Sequence, residues 1–441
     1  MDGNEHLFRH EAGRLVSALT RIFGVHNLAL AEDVVQDAFC RALEIWRVRG
    51  MPDNPSAWLM TAARNRALDV LRRERTASRF APELARLIES EWTLTPMVDE
   101  ILADDAIQDS LLRMMLSCCH PRLSEAAQVA LILNILCAFS IDEIASAFMS
   151  GHAAVEKRIV RSKKVLAESK RLFDTAAPAD FSDRLPAVQR ALYLLFNEGY
   201  HGASTQTSVR SDLCNEAIRL TAVLLQHPLG KTPSTYALAA LMTLTGARLP
   251  ARTDSSGNLI ALHDQDRERW NRTRLAEGMQ LLELSACDVE LSAYHIEAAV
   301  ASVHAMAQGA DDTDWNTIIT LYDSLVRINP SPIVELNRAI AIAQRDGPEQ
   351  GLEAINAISG PDRLVDYPFY HAALGELELR QNDRSRASEY FRQALAKARN
   401  PMERRFFAQR LAACEASDVV RGSGEFWDST VTDRTNHEGS V

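Results

Sequence analysis

The sequence predicts an all-α protein: two small helical domains followed by a larger helical extension. Composition is the first observation. Ala and Leu are abundant, while Gly and Pro supply only 19 and 16 of 441 residues, which favours helix over strand or loop. Periodicity is the second. Apolar residues recur three and four apart in segment after segment, the spacing of one helix face. Hydrophobic residues make up 46% of the chain, enough for the cores of two to four domains. The net charge of −11 excludes a generic polyanion binder. Contact with nucleic acid would have to come from grouped basic residues.

The seven cysteines are Cys40, Cys118, Cys119, Cys137, Cys214, Cys287 and Cys414. They are scattered, odd in number and form no paired CxxC framework, which points to a reducing cytoplasm. The N-terminus has no apolar signal segment and no run reaches transmembrane length, so no membrane partner is expected.

In chain order, Leu7 to Gly24 reads as an amphipathic helix through Leu7, Leu15, Leu19, Ile22 and Phe23, packing under the next helix. That next helix, Ala31 to Trp46, has Val35, Ala38, Phe39, Ala42 and Trp46 on one face. Asp33, Gln36, Asp37, Cys40 and Glu44 share the other, an acidic, amide-bearing surface suited to a basic partner or simply to solvent. Asn54 and Pro55 fit an N-cap and first helical position. Leu59, Ala63, Ala67 and Val70 then form a buried stripe, with Arg64, Asn65, Asp69, Arg72 and Arg73 outward. The five arginines from Arg64 to Arg75 suit a polyanion, although an arginine-rich helix end also complements the helix dipole.

The run Ala31-Glu32-Asp33-Val34-Val35-Gln36-Asp37-Ala38-Phe39, then Trp58-Leu59 and Ala63 to Arg73, closely resembles region 2 of bacterial sigma factors. The resemblance implies that the first helix docks on the clamp coiled coil of core RNA polymerase, through Asp33, Gln36 and Asp37 with Phe39 in support. It implies that the second reads and opens promoter DNA near the minus-ten element, through Trp58, Arg64, Asn65, Asp69, Arg72 and Arg73. Region 2 would span residues 5–76.

From Arg72 to Thr95 periodicity is lost, and Thr76 to Pro82 opens an expected linker over 77–103. The second domain, 104–172, starts with Leu111, Leu112, Met115 and Leu116. Adjacent Cys118 and Cys119 cannot readily share one tetrahedral metal site, and no second ligand pair lies near, so no metal is expected. Ala126 to Cys137 reads as one apolar helix. Ser140 and Glu143 fit a capping box opening a short helix with Ile141, Ile144, Ala145 and Phe148 inward. A turn at Met149-Ser150-Gly151 leads to a basic helix from Ala153 to Glu168, with Val155, Ile159 and Leu166 inward. This is a helix-turn-helix pattern. It resembles region 4 of the same family, whose second helix contacts the minus-thirty-five element while the domain meets the polymerase flap. The resemblance assigns Lys157, Arg158, Arg161 and Lys164 to DNA, with Ala153, Ala154 and Glu156 nearest the bases. Ala153-Ala154-Val155 stands where the family usually has Gly-Thr-Val.

A second linker is expected at 173–185. Residues 186–290 form a helical extension opening on Leu185 to Leu195 and the run Phe196-Asn197-Glu198-Gly199-Tyr200, in which Gly199 fits a helix C-cap. Further helices are expected at Asp212–Gln226, Thr235–Thr245 and Trp270–Leu284, around a turn at Asp254–His263. Asp264, Gln265, Asp266, Arg267 and Trp270 could be a small site or could tie a loop to its domain. From 291 to 416 helices come in pairs. Leu374, Gly375, Ala387, Phe391, Ala394 and Pro401 match tetratricopeptide offsets, implying a concave surface for a peptide or protein. Residues 417–441 are polar and expected to be disordered.

Region 2, region 4, the FNEGY run and the repeat-like end together resemble one subgroup of extracytoplasmic-function sigma factors. The expected function is a promoter-specificity subunit of RNA polymerase, with no enzymatic activity or cofactor of its own and an extension that regulates it. One rival is a helix-turn-helix regulator with a repeat-type sensor that does not bind core polymerase. Another is an enzyme using Glu198, Tyr200, His263, Asp264 and Asp266, but these show no nucleophile–base motif, phosphate loop or metal-ligand spacing.

Overall fold

A computed structural model describes residues 2–74, 91–147, 150–169, 173, 178–201, 210–286, 291–309, 311–398 and 400–415. They form helices and turns, with one isolated antiparallel bridge between Thr253 and Leu259. The chain divides into two compact units, 1–195 and 196–441. Among the described residues no helix is long and apolar enough to cross a membrane.

The N-terminal unit is built on α1, Asp2–Phe23. Apolar residues face every side of its second half: Ala12, Leu15, Val16, Ala18, Leu19, Ile22 and Phe23 are all buried. The Ser17 and Thr20 hydroxyls, also buried, donate to the carbonyls of Gly13 and Val16, each at 2.7 Å. Such bonds satisfy polar groups on the enclosed sides of a helix. Gly24, with φ +86°, ends the helix. Helix α2, Leu28–Arg49, runs to Gly50 at φ +81°. Asn54 accepts the Ala57 N–H at 3.0 Å and caps α3, Pro55–Glu74. Phe8 stacks on Phe39 at 4.7 Å and on Trp46 at 5.7 Å, and Trp58 meets Trp46 edge-on at 5.5 Å.

The structure departs from the expected linker over 77–103. Glu91–Ile101 is a helix, α4, held by fully buried Val98 and an ion pair from Asp99 to Arg64 on α3. Leu94, Met97, Val98 and Ile101 do recur at helical spacing there, but Pro96 in their midst disguised the signal. The apolar stretch 126–137 is also not one helix. After α5, Asp104–Cys118, come α6, Glu125–Leu131, and a π-helical turn, Ile132–Leu136. The Cys137 N–H reaches back five residues to the Ile132 carbonyl at 3.2 Å, and Ala138 then takes φ +54°. The extra residue in the turn ends the helix, so the chain can redirect into Phe139. The capping box stands as read: Glu143 N–H donates to the Ser140 hydroxyl at 3.2 Å, and Glu143 accepts the Ser140 N–H at 2.9 Å. Helices α7, Ile141–Ala147, and α8, His152–Glu168, follow. Phe148 and Met149 lie outside the described residues.

The second expected linker, 173–185, is shorter than read. Helix α9, Pro178–His201, begins inside it because Phe181, Leu185 and Val188 bury one face at helical spacing. Arg184 donates to the Leu116 carbonyl at 3.0 Å and lies 4.5 Å over the Phe173 ring.

The second unit contains the end of α9, then α10, Ser211–Gln226, α11, Pro233–Gly246, and α12, Arg272–Ser285. Beyond lie α13, Ala293–Met306, α14, Trp315–Ile328, α15, Pro332–Asp346, and α16, Pro348–Asn356. Helices α17, Pro368–Arg380, α18, Arg384–Ala396, and α19, Pro401–Glu415, complete it. Side-chain caps start many of them: Thr232, Asn271, Asp314, Ser331 and Asp383 each accept a backbone N–H of the first turn. Fully buried Phe391 fills the space between α17 and α18, where a Cβ on Gly375 would lie only 3.1 Å from its ring. Phe391→Ala would leave a large cavity there. It should lower the stability of the full-length protein by about 3–5 kcal/mol in chemical denaturation; a change below about 1 kcal/mol would contradict this packing.

Candidate polymerase and nucleic-acid interfaces

Helix α2 presents the predicted acidic face intact. Asp33, Gln36, Asp37, Cys40 and Glu44 are exposed, while Phe39 is buried beneath them against Phe8. Burial of Val34, Val35, Ala38 and Ala42 on the inner side turns these polar residues outward. Asp37 accepts from Arg66 at 2.8 Å, and Glu32 beside it accepts from Lys163 at 2.6 Å. Exposed Leu43 adds an apolar neighbour to this surface.

On α3, Leu59, Ala63, Ala67 and Leu71 are fully buried. Asn65, Asp69 and Arg72 are therefore exposed, with Arg72 and Asp69 paired at 3.8 Å. Trp58 is half-buried against Trp46. Arg73 lies on the same helix, but its side chain is outside the described residues. Arg64 is half-buried, and its guanidinium grips Asp99 with two nitrogens, Nη2 to Oδ2 at 2.9 Å. The hydrogen bonds from Arg64 hold the Asp99 carboxyl below its usual range. Asp99 escaped the sequence reading, since nothing local marks its partner 35 residues earlier.

Helix α8 separates its roles by face. Val155, Ile159, Ser162 and Leu166 are buried, and Ala153, Ala154, Glu156, Lys157, Arg161 and Lys164 are exposed, with Arg158 half-buried. An open cleft of about 430 Å³ runs beside it, lined by Ala154, Lys157, Arg158 and Arg161 and, from the turn between α5 and α6, by Arg122. Arg122 was not singled out from sequence; it also pairs with Glu168 at 3.0 Å. Lys157, Arg158, Arg161 and Arg122 thus converge on one concave surface, a geometry suited to consecutive phosphates.

The FNEGY run contradicts one expectation. Gly199 does not cap a helix: α9 continues through it to His201. Glycine is needed there for close approach. A Cβ would sit 2.7 Å from the Arg210 carbonyl oxygen and 2.8 Å from both the N and the Sγ of Cys214. Instead the Arg210 N–H donates to the Gly199 carbonyl at 2.8 Å. Phe196 and Tyr200 are buried and stacked, with centroids 5.9 Å apart, and the Arg252 guanidinium lies 4.2 Å over the Tyr200 ring. Asn197 and Glu198 are buried beside them. Burial pushes the Cys214 thiol up, and its Sγ lies 3.6 Å from the Phe196 carbonyl.

The polar run after the Thr253–Leu259 bridge ties a loop to its own unit. Gln265 donates to Ile260, Asp266 accepts the Glu268 N–H at 2.9 Å, and Arg267 donates to the carbonyls of His304 and Ala307. Arg267 also lies 4.8 Å over Trp270. Burial raises the Asp264 carboxyl, partly offset by Arg410. The His263 side chain is outside the described residues. Among the described residues no three of His, Cys, Asp and Glu are grouped to hold a metal ion.

Comparison with known proteins adds three findings. Residues 7–77 match the family described as Sigma-70 region 2, which covers α1 to α3. Residues 184–286 match a family of unknown function, DUF6596. The uncharacterized protein R00370 of Rhizobium meliloti (strain 1021) is 36% identical over 398 residues, spanning 90% of this chain and 92% of its own length. No solved structure matches.

The crowding at Gly199 can be measured. Gly199→Ala should cost about 1–3 kcal/mol of stability through overpacking against backbone atoms that cannot swing aside. An unchanged denaturation midpoint would contradict the close approach.

Proposed function

We propose a specific role for this chain, which belongs to one family with the Rhizobium meliloti protein and is a sigma-70 family factor by its region 2 domain: it is an extracytoplasmic-function type sigma factor with an appended regulatory extension. One observation carries this most directly. The bundle that matches region 2 turns Asp33, Gln36 and Asp37 to solvent on one helix and Asn65, Asp69 and Arg72 to solvent on the next.

In this role α2 docks on the clamp coiled coil of core polymerase through Asp33, Gln36 and Asp37. Phe39 fixes the height of that face from below. Helix α3 engages DNA near the minus-ten element through Trp58, Arg64, Asn65, Asp69, Arg72 and Arg73. Helix α8 enters the major groove at the minus-thirty-five element, with its domain against the polymerase flap. Lys157, Arg158, Arg161 and Lys164 provide phosphate contacts, which position the protein; Ala153, Ala154 and Glu156, at the start of the helix, lie where base edges are read. The chain performs no catalysis itself. Polymerase makes the RNA, and this chain selects and opens the start site.

The extension regulates promoter engagement, and its helix pairs offer a surface for a peptide or protein. A helix-turn-helix regulator that ignores polymerase would leave the exposed acidic face of α2 without a role. The two are separated by the Asp33→Lys/Asp37→Lys protein. It should fold normally by circular dichroism and lose at least about tenfold in affinity for purified core polymerase, about 1.4 kcal/mol. Undiminished binding by the folded double variant would rule out this docking face.

A further inference from the structure

We infer that the peptide-binding face of the C-terminal helix pairs is occupied in cis by the chain's own bridged loop, residues 253–265, and that a partner gains this face by displacing the loop with an extended segment of the same chemistry: two apolar side chains two residues apart. This rests on the reading of the helix pairs as a peptide surface, and it lies wholly within the second unit.

The face belongs to alternate helices. Gly375 of α17 meets Phe391 of α18, so that side of α17 is closed within its own pair. Glu376 and Arg380, one turn apart, lie on the side turned away, where Glu376 pairs with Arg410 of α19. In a stacked array of helix pairs this side is the one left open for a partner. On α17 nothing is left open: every residue from His371 to Glu378 is buried, and eight consecutive residues cover the whole circumference of a helix.

The loop supplies part of the cover. Thr253 and Leu259 form the antiparallel bridge, and Ala261 is also extended, at φ −64° and ψ 154°. Residues two apart in extended chain point the same way. Leu259 and Ala261 both pack against the apolar cluster that contains Leu336, Ala373, Leu377, Phe406 and Phe407, drawn from α15, α17 and α19. Charge follows the same path. Asp254 lies within electrostatic reach of Arg405, and Asp264 within reach of Arg410, both on α19.

The loop is built as a separable piece. It folds on itself: the Asp254 N–H donates to the Asn258 carbonyl at 3.0 Å, the Ile260 N–H to the Arg252 carbonyl at 2.9 Å, and the Gln265 side chain to the Ile260 carbonyl at 3.2 Å. The Asp254 carboxylate accepts the N–H groups of Ser256 and Asn258, each at 2.8 Å. The helices keep their own backbone bonds, so departure of the loop uncovers side chains and strips no helix of its ladder. Its polar fit is imperfect. Asp264 brings a second carboxylate toward Arg410, which Glu376 already holds; burial raises the Glu376 carboxyl, and the Asp264 charge raises it further. The buried Gln265 Oε1 meets no donor among the described residues, a cost that a better-matched segment would avoid.

Two measurements on the full-length protein test this. In native-state hydrogen exchange, the Asp254 and Ile260 amides should exchange at least about a hundredfold faster than those of Leu374 and Leu377, because the loop opens without the unit unfolding. In fluorescence polarisation, a labelled synthetic peptide of residues 253–266 should bind the Leu259→Asp/Ala261→Asp protein, whose own loop is expelled, at least about tenfold more tightly than the wild type. A peptide carrying the same two substitutions should bind neither. Loop amides that exchange as slowly as α17, or a wild type that binds the peptide as tightly as the folded variant, overturn displaceable occupancy in cis. If the folded variant binds no peptide, the helix pairs are not a peptide surface, and that reading falls with the inference. If the variant does not fold, the exchange rates decide alone.

Discussion

The N-terminal unit depends on the burial of the apolar second half of α1. A helix with apolar residues around its circumference has to be enclosed, and no single neighbour can do that. Helices α2 and α3 cover one side and complete the region 2 bundle. Helix α5 and the π-helical turn cover the other. Gly13 lets the turn come within backbone contact, and the Ser17 and Thr20 hydroxyls bond back along their own helix because no water reaches them. The positions of the outward faces follow from this enclosure. Because Val34, Val35 and Ala38 of α2 point toward the bundle core, Asp33, Gln36 and Asp37 point away from it.

Electrostatics then divide the surface by sign. The chain is acidic overall, so its cations act locally, within about a Debye length of 8–10 Å at moderate salt. Several are already paired inside the protein. Arg64 holds Asp99, Arg66 holds Asp37 and Lys163 holds Glu32. Lys157, Arg161 and Lys164 instead project from α8 beside an open cleft. The second unit uses charge differently. Arg252 and Arg248 sit over the Tyr200 ring, and Glu376 is buried with Arg410 on α17 and α19. Burial raises the Glu376 carboxyl despite that partner.

Much of this arrangement was legible in the residues. The faces of α2, α3 and α8 follow directly from helical spacing, and Ser140 with Glu143 marked a helix start that the hydrogen bonds reproduce. What was missed depends on distant partners. Helix α4 carries Leu94, Met97, Val98 and Ile101 at helical spacing, but Pro96 within it reads as a breaker, and its tie to an arginine 35 residues earlier has no local mark. The first turns of α9 were read as linker because Asp174 to Pro186 is rich in Ala, Asp and Pro; the apolar contacts of Phe181 and Leu185 decide the outcome. The π-helical turn looks like ordinary apolar helix until Ala138 adopts a positive φ. Gly199 shows the ambiguity of glycine: a local reading gives a C-cap, whereas the structure gives contact with Arg210 and Cys214.

Transcription with purified components tests the central claim most directly. Core RNA polymerase, full-length protein and DNA carrying the upstream region of the chain's own gene cluster are combined, and run-off RNA is measured. A sigma factor should bind core and produce a discrete transcript that core alone does not. Lack of binding to core polymerase, together with DNA binding by the isolated protein, would contradict the account and favour a polymerase-independent regulator.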